Sequence, residues 1–145
     1  MVLELNNISK SVLYQKSLIY FNSIYKSPKD VISSVEDQLI TIHGVIDKSI
    51  RRNSFHVFDM DYTITFQFKD GKVRINSPSF VLTAYTKNMQ TLHVKWTKFS
   101  FNGEHLGIYG KNDKLKSARA KKDLEVFYNN YIKEYFTSII QDDEW

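Results

Sequence analysis

The most regular pattern in the chain is an alternation of apolar and polar residues between positions 57 and 68. Every second residue there is apolar, and the residues between them are mostly polar. The apolar set consists of Phe58, Met60, Tyr62, Ile64, Phe66 and Phe68. Because successive side chains of a strand point to opposite faces of a sheet, this period predicts a half-buried β-strand. The polar set, which includes Asp59, Asp61 and Thr63, is expected to face solvent.

A hairpin is predicted to follow this strand. Asp70 and Gly71 form a pair that a tight two-residue turn prefers, since glycine adopts a positive φ at little cost. The apolar positions of 73–75 begin the return strand. Pro78 interrupts it, because proline has no backbone N–H to give to a sheet. The strand is expected to continue through residues 80–84, past a bulge or at an edge.

Two helices are predicted, one near each end of the chain. The apolar face of the first consists of Tyr14, Leu18, Phe21 and Tyr25, which recur at helical spacing. Ser9 or Ser11 offers a hydroxyl for the N-cap of this helix. Ser27-Pro28 ends the helix, because a residue before proline disfavours helical backbone. The last helix starts at Ser117. Its apolar stripe consists of Leu124, Phe127/Tyr128, Tyr131, Tyr135/Phe136 and Ile139.

Shorter strand patterns complete the prediction. Residues 2–5, 40–47 and 92–96 are candidate strands, so the order is strand, helix, four or more antiparallel strands, helix. A length of 145 residues suits one domain of ordinary size. The prediction is therefore an α+β fold built on an antiparallel sheet, organised as a single domain over residues 1–145.

Four segments, taken in order, resemble a known family. They are residues 11–16, 27–32, 42–44 and 68–74, and the last contains the sequence Lys-Asp-Gly-Lys-Val-Arg. Across roughly residues 9–80 the chain resembles domain of unknown function 4468, a family that is common in Bacteroidetes and has a fold like that of the TATA-binding protein (TBP). The resemblance implies a curved antiparallel sheet with the N-terminal and C-terminal helices packed on one face.

The resemblance implies structural roles for some residues but no activity, because the family has no agreed function. Lys69, Asp70, Gly71, Lys72 and Arg74 correspond to turn and strand-edge positions only. The abundance of Lys, Asn, Ile, Tyr and Phe also suits a Bacteroidetes bacterium or its phage.

Signatures of catalysis are sparse in the sequence. There is no cysteine, and the four histidines are scattered, so no thiolate or paired-histidine metal site is expected. No nucleophile-elbow, dinucleotide or phosphate-loop motif is present. Asp59 and Asp61 lie on one strand face and could bind a divalent cation or act as an acid–base pair, but the solvated face of a strand is where acids belong. We therefore expect no enzyme activity, no metal, no cofactor and no small-molecule substrate.

The positive charge of the chain is concentrated in residues 111–122. The net charge of the chain is +4. This segment alone carries +5, because it contains six cationic residues and one acidic residue, Asp113. The six are Lys111, Lys114, Lys116, Arg119, Lys121 and Lys122. Cations at the start of a helix oppose the helix dipole, so the segment is a candidate anion or nucleic-acid site. The alternative is a solvated loop whose charges aid solubility.

An aromatic interface is the second candidate site. It consists of Trp96, Phe99, Phe101 and Tyr109, together with the terminal Trp145. No regular periodicity places the first four in a core, and aromatic residues are enriched at the centres of protein interfaces. We expect residues 86–110 and Trp145 to contact a partner.

These observations favour a non-enzymatic binding or assembly module. A structural subunit or adaptor in a larger protein assembly, such as a virion or a bacterial complex, fits best, with protein partners or self-association. The alternative is a nucleic-acid or anion-binding protein that uses residues 111–122. No apolar run approaches the roughly 20 residues of a membrane span. The first residues do not form a secretory signal, so a cytoplasmic or virion location is expected, or export if the chain derives from a processed precursor.

Overall fold

The computed structural model describes residues 1–52, 56–84, 91–95, 99–101, 108, 114–115 and 117–141. Within these residues the strands are β1 (Val2–Glu4), β2 (Ile32–Val35), β3 (Leu39–Arg51), β4 (Val57–Lys69), β5 (Lys72–Ile75), β6 (Ser79–Ala84), β7 (Thr91–Lys95) and β8 (Phe99–Phe101). The helices are α1 (Lys10–Ile24), α2 (Pro28–Val31) and α3 (Ala118–Ile140).

The strands form one sheet in the order β1-β5-β4-β6-β7-β8, and β3 pairs with both β4 and β2. Each pairing with a described register is antiparallel, as predicted. Strand β4 is central because β5 and β6 pair with its two halves in succession. Pro78 lies in the interruption between β5 and β6, where the sequence placed it.

The chain divides into two compact units. The first consists of Met1–His43, Ile64–Ser77 and Asn129–Trp145, and the second of Gly44–Thr63 and Pro78–Tyr128. Strands β3 and β4 and helix α3 contribute residues to both units. That the whole chain acts as one domain stays a prediction.

The core of the first unit is an aromatic cluster between α1, α3 and β4. Phe21 of α1 stacks on Tyr135 of α3 with ring centroids 5.3 Å apart, and both rings contact Phe66 of β4. All three side chains are fully buried. Both helices therefore pack on the apolar face of β4, as the alternating pattern and the resemblance imply.

The core of the second unit repeats this arrangement with different residues. Phe127 of α3 contacts Tyr62 of β4 at a centroid distance of 4.9 Å and Phe80 of β6 at 6.3 Å. A Cβ added at Gly44 would overlap the ring of Tyr62, so the second unit requires a glycine at this position of β3. Gly44, the last residue of the family-like segment 42–44, thus has a packing role.

The local signals for turns and helix starts are confirmed in most places. Ser9 is the N-cap of α1, and its Oγ accepts the backbone N–H of Val12 at 3.2 Å. Gly71 has a φ of +71°, as the Asp-Gly turn requires. Ser117 caps α3, since its Oγ accepts the backbone N–H of Ala120.

The structure differs from the sequence prediction around Pro28. Helix α1 ends at Ile24, and Pro28 begins the short α2 instead of only ending α1. The reason is that proline is well suited to the first position of a helix, where no backbone N–H is needed. Strand β2, which follows directly, was not predicted, because its sequence Ile-Ser-Ser-Val does not alternate.

Candidate anion-binding surface

The face of the sheet opposite the apolar core carries a cluster of cations in the first unit. In β4 and β5, Gln67 lies opposite Arg74, and Lys69 lies opposite Lys72. Their neighbours Phe68 and Val73 point to the core and are almost fully buried. Since strand side chains alternate between faces, the polar residues share the open face.

A groove of about 670 Å³ lies along these residues. It is lined by Val2, Lys10, Gln38, Leu39, Gln67, Phe68, Lys69, Lys72 and Arg74, all of which belong to the first unit. Four of the nine are cations, and all four are exposed. We call Lys10, Lys69, Lys72 and Arg74 the groove cations.

The hairpin turn brings Lys10 to the groove from a distant part of the sequence. The backbone N–H of Lys10, at the start of α1, donates to Oδ1 of Asp70 at 2.8 Å. Gly71 is held by the same segment, because its N–H donates to the carbonyl of Ile8 at 2.8 Å and its carbonyl accepts from the N–H of Leu5 at 2.7 Å. The turn is thus tied to the start of α1 on both sides.

The groove cations are not neutralised by neighbouring carboxylates. Among the described residues, none of the four forms an ion pair through its side-chain ammonium or guanidinium group, although Asp70 Oδ1 accepts a hydrogen bond from the backbone N–H of Lys10. Glu4 lies opposite Lys72 in the β1–β5 pair without forming such an ion pair. Like charges directly opposite each other, as Lys69 and Lys72 are, destabilise a strand pair. The arrangement favours an anion in the groove.

The predicted basic segment is only partly described. Lys111 and Lys116 lie outside the described residues, and Lys114, Arg119 and Lys122 are exposed. Lys121 forms an ion pair with Glu125 at 3.5 Å, one turn further along α3.

A carboxylate also lies close to this segment. Asp123 accepts hydrogen bonds from the backbone N–H, Nε and Nη2 of Arg51. Burial of the Asp123 carboxylate opposes its ionisation, but the bonds from Arg51 outweigh this, and the charge of Arg119 adds to them, so the pKa of Asp123 is below its usual range. The main partner of Asp123 is thus Arg51, which lies outside the segment, whereas Glu125 pairs with a cation of the segment.

The start of α3 is also occupied by its own chain. Ser117 Oγ accepts from the N–H of Ala120 and donates to the carbonyl of Arg52, while the N–H of Ser117 donates to the carbonyl of Ile108 at 3.1 Å. Two of the N–H groups that an anion would use at this helix start are thus taken.

Most of the predicted aromatic interface lies outside the described residues. Trp96, Tyr109 and Trp145 lie outside the described residues, and only the backbone of Phe99 and Phe101, within β8, is described. That interface stays a prediction.

One of the two acids of β4, Asp59, has a structural role. Asp59 Oδ1 accepts the backbone N–H of Lys48 at 2.8 Å, and Lys48 has a φ of +48°. The carboxylate therefore stabilises an irregular position of β3. Within the described ranges, no group of three or more His, Asp or Glu residues comes together as a metal site would require. No helix in those ranges is long and apolar enough to span a membrane.

The groove was not recognised from the sequence, although part of its signal is readable there. Lys69, Lys72 and Arg74 flank the Asp-Gly turn at positions that share the polar face once the hairpin register is known. Lys10 has no such signal, because it lies 60 residues from Asp70, which positions it.

Comparison with solved structures defines the class of fold. The chain is similar to a TBP-like protein from Parabacteroides distasonis, with a TM-score of 0.71 and 13% identity over 99% of this chain and 92% of that one. It is also similar to a DUF4468 family protein from Bacteroides ovatus, with a TM-score of 0.60 and 15% identity over 100% of this chain and 86% of that one. At these identities the likeness concerns the fold alone, which is α+β with a TBP-like antiparallel sheet, as predicted.

The model of a domain of unknown function with a TBP-like fold, DUF4468, matches residues 1–83. This is more than half of the chain, and the protein belongs to that family, which confirms the resemblance seen in the sequence. No curated protein matches the chain.

Proposed function

We propose that this protein is a non-enzymatic binding module, an adaptor or structural subunit of a larger protein assembly, and that its groove holds an anionic part of the partner. The observation that supports this most directly is the convergence of the four groove cations on one open cavity of about 670 Å³. The proposal covers assemblies of several copies of the chain as well as virions and cellular complexes.

The electrostatics of the groove support the proposal. Exposed lysines that face each other repel, and a partner carboxylate or phosphate between them would turn this repulsion into attraction. Such surfaces contribute to the rate and specificity of association more than to affinity. The backbone of the groove residues in β4 and β5 is held by strand pairing, so the ordering cost of binding falls mainly on the Lys and Arg side chains.

A second candidate is anion or nucleic-acid binding by the segment 111–122. The exposure of Lys114, Arg119 and Lys122 favours it. The ion pair of Lys121 with Glu125 counts against it, because it leaves one cation of the segment already neutralised. We therefore rank the groove above the segment.

An NMR titration of the ¹⁵N-labelled protein with three anions tests both candidates. The anions are polyglutamate, oligo(dT) and tripolyphosphate, each at 0.1 M and 0.5 M salt. Two variants with equal charge change are compared: Lys69→Gln/Lys72→Gln/Arg74→Gln in the groove and Lys114→Gln/Arg119→Gln/Lys122→Gln in the segment. Thermal unfolding of each variant checks that the fold is retained.

The expected result is that amide shifts of 67–74 respond to at least one anion at 0.1 M salt. The groove variant should abolish these shifts, and the segment variant should keep them. Shifts confined to 114–122 and lost only in the segment variant would establish the second candidate instead. If no anion shifts either region, the proposal of an anion-binding module is wrong.

A further inference from the structure

The chemistry of the groove points to one kind of anion. Resting on the proposed function, we infer that the groove binds an extended acidic peptide segment of a partner protein, with carboxylates on alternate residues. Three features of the groove carry this inference: the spacing of its cations, the absence of a stacking surface among its lining residues, and its content of amide and apolar side chains.

The groove cations on the sheet lie in two rows that follow the strand period. Lys69 and Lys72 form one row, and Arg74 lies beside Gln67 in the next row. The rows are two residues apart along each strand, which corresponds to about 7 Å. An extended peptide that runs along the strands has its same-side carboxylates at the same spacing. Two carboxylates of one segment can therefore reach both rows at once.

The lining does not suit a nucleic acid. Single strands are held by aromatic side chains on which bases stack. Phe68 is the sole aromatic residue among the described lining residues, and its ring is buried against Tyr14 at a centroid distance of 5.8 Å.

The remaining lining residues suit a polypeptide. Gln38 and Gln67 each carry an amide that can both donate to a peptide carbonyl and accept from a peptide N–H. Val2 and Leu39 add apolar surface, and Val2 is half exposed. A small inorganic anion would use neither feature.

Fluorescence anisotropy with two labelled peptides tests the inference. Both contain four Asp, two Ser and two Val, but one alternates Asp with the other residues and the other groups the four Asp together. Tripolyphosphate and oligo(dT) serve as competitors. The wild type is compared with Lys72→Gln/Arg74→Gln and with a control of equal charge change on the second unit, Lys114→Gln/Lys122→Gln.

We expect the alternating peptide to bind several-fold more tightly than the grouped one at 0.1 M salt. The groove variant should weaken its binding by roughly 2- to 30-fold, as the loss of two exposed ion pairs implies, and the control should change it by less than about twofold.

Equal affinity for the two peptides would show that the groove does not recognise carboxylates on alternate residues, and the inference would be wrong. If the peptides do not bind while tripolyphosphate or oligo(dT) still shifts the groove amides, the inference is wrong and the proposed function stands. If no anion reaches the groove, both are wrong.

Discussion

The buried hydroxyl pair in the first unit allows a quantitative test of its core. Tyr135 Oη lies 2.8 Å from Ser17 Oγ, and both residues are fully buried. Ser17 Oγ also donates to the carbonyl of Leu13 at 2.7 Å. Because a serine hydroxyl has one proton, Tyr135 must be the donor in the pair. Ser17→Ala therefore leaves a buried donor without an acceptor, while Tyr135→Phe leaves Ser17 still bonded to Leu13.

The two substitutions should differ in magnitude for this reason. An unsatisfied buried polar group costs about 1–3 kcal/mol, so we expect Ser17→Ala to lower the free energy of unfolding by that amount. Tyr135→Phe removes one ordinary hydrogen bond and should cost about 0.5–1.5 kcal/mol. The double variant contains no unsatisfied group from this pair. It should therefore be little worse than Tyr135→Phe alone, with a coupling of about 1–2 kcal/mol.

Urea unfolding at pH 7 measures these values, and thermal unfolding should show a shift of about 2–4 °C per kcal/mol for a chain of this size. Ser23→Ala is the matched control, because Ser23 Oγ also bonds a carbonyl of α1, that of Tyr20, but in an exposed position. It should change stability by less than about 0.5 kcal/mol. Additive effects in the double variant, or a Ser17→Ala variant as stable as the control, would refute the reasoning.

Three further outcomes are expected. Asp123→Asn should destabilise the protein at pH 7, because hydrogen bonds from Arg51 hold the pKa of the Asp123 carboxyl below its usual range. The difference from wild type should begin to fall near pH 4, where the unfolded chain takes up a proton, and should vanish only below the lower pKa of the folded protein; a difference that stays constant from pH 7 to pH 2 contradicts this. Gly44→Ala should cost about 1–3 kcal/mol in urea unfolding, since its Cβ would overlap Tyr62, and a neutral effect would contradict that packing. Burial raises the pKa of Tyr135, so the wild type should lose stability relative to Tyr135→Phe above about pH 10, where the unfolded chain ionises first; parallel stability curves from pH 8 to 11 would show otherwise.

Short sequence patterns predicted the helices, strands and turns that depend on residues close together in the chain. The alternation over 57–68 is confirmed as β4, the Asp-Gly pair as its turn, and Ser117 as the start of α3, which it caps. The family resemblance is confirmed as well. Each of these follows from a side-chain period or a backbone preference that spans a few residues, and such preferences act in the same way before and after the chain folds.

The tertiary structure alone decided which distant residues meet. Ser17 looks like a surface residue of α1, but it is buried because Tyr135, 118 residues away, supplies its partner. Lys10 joins the groove because Asp70 holds the start of α1. Strand pairing and helix docking bring such groups together, and neither leaves a periodic trace in the sequence. The sequence therefore determined most of the elements and the polar face of the sheet. The strand register and the docking of α1 determined where the positive charges of the groove converge.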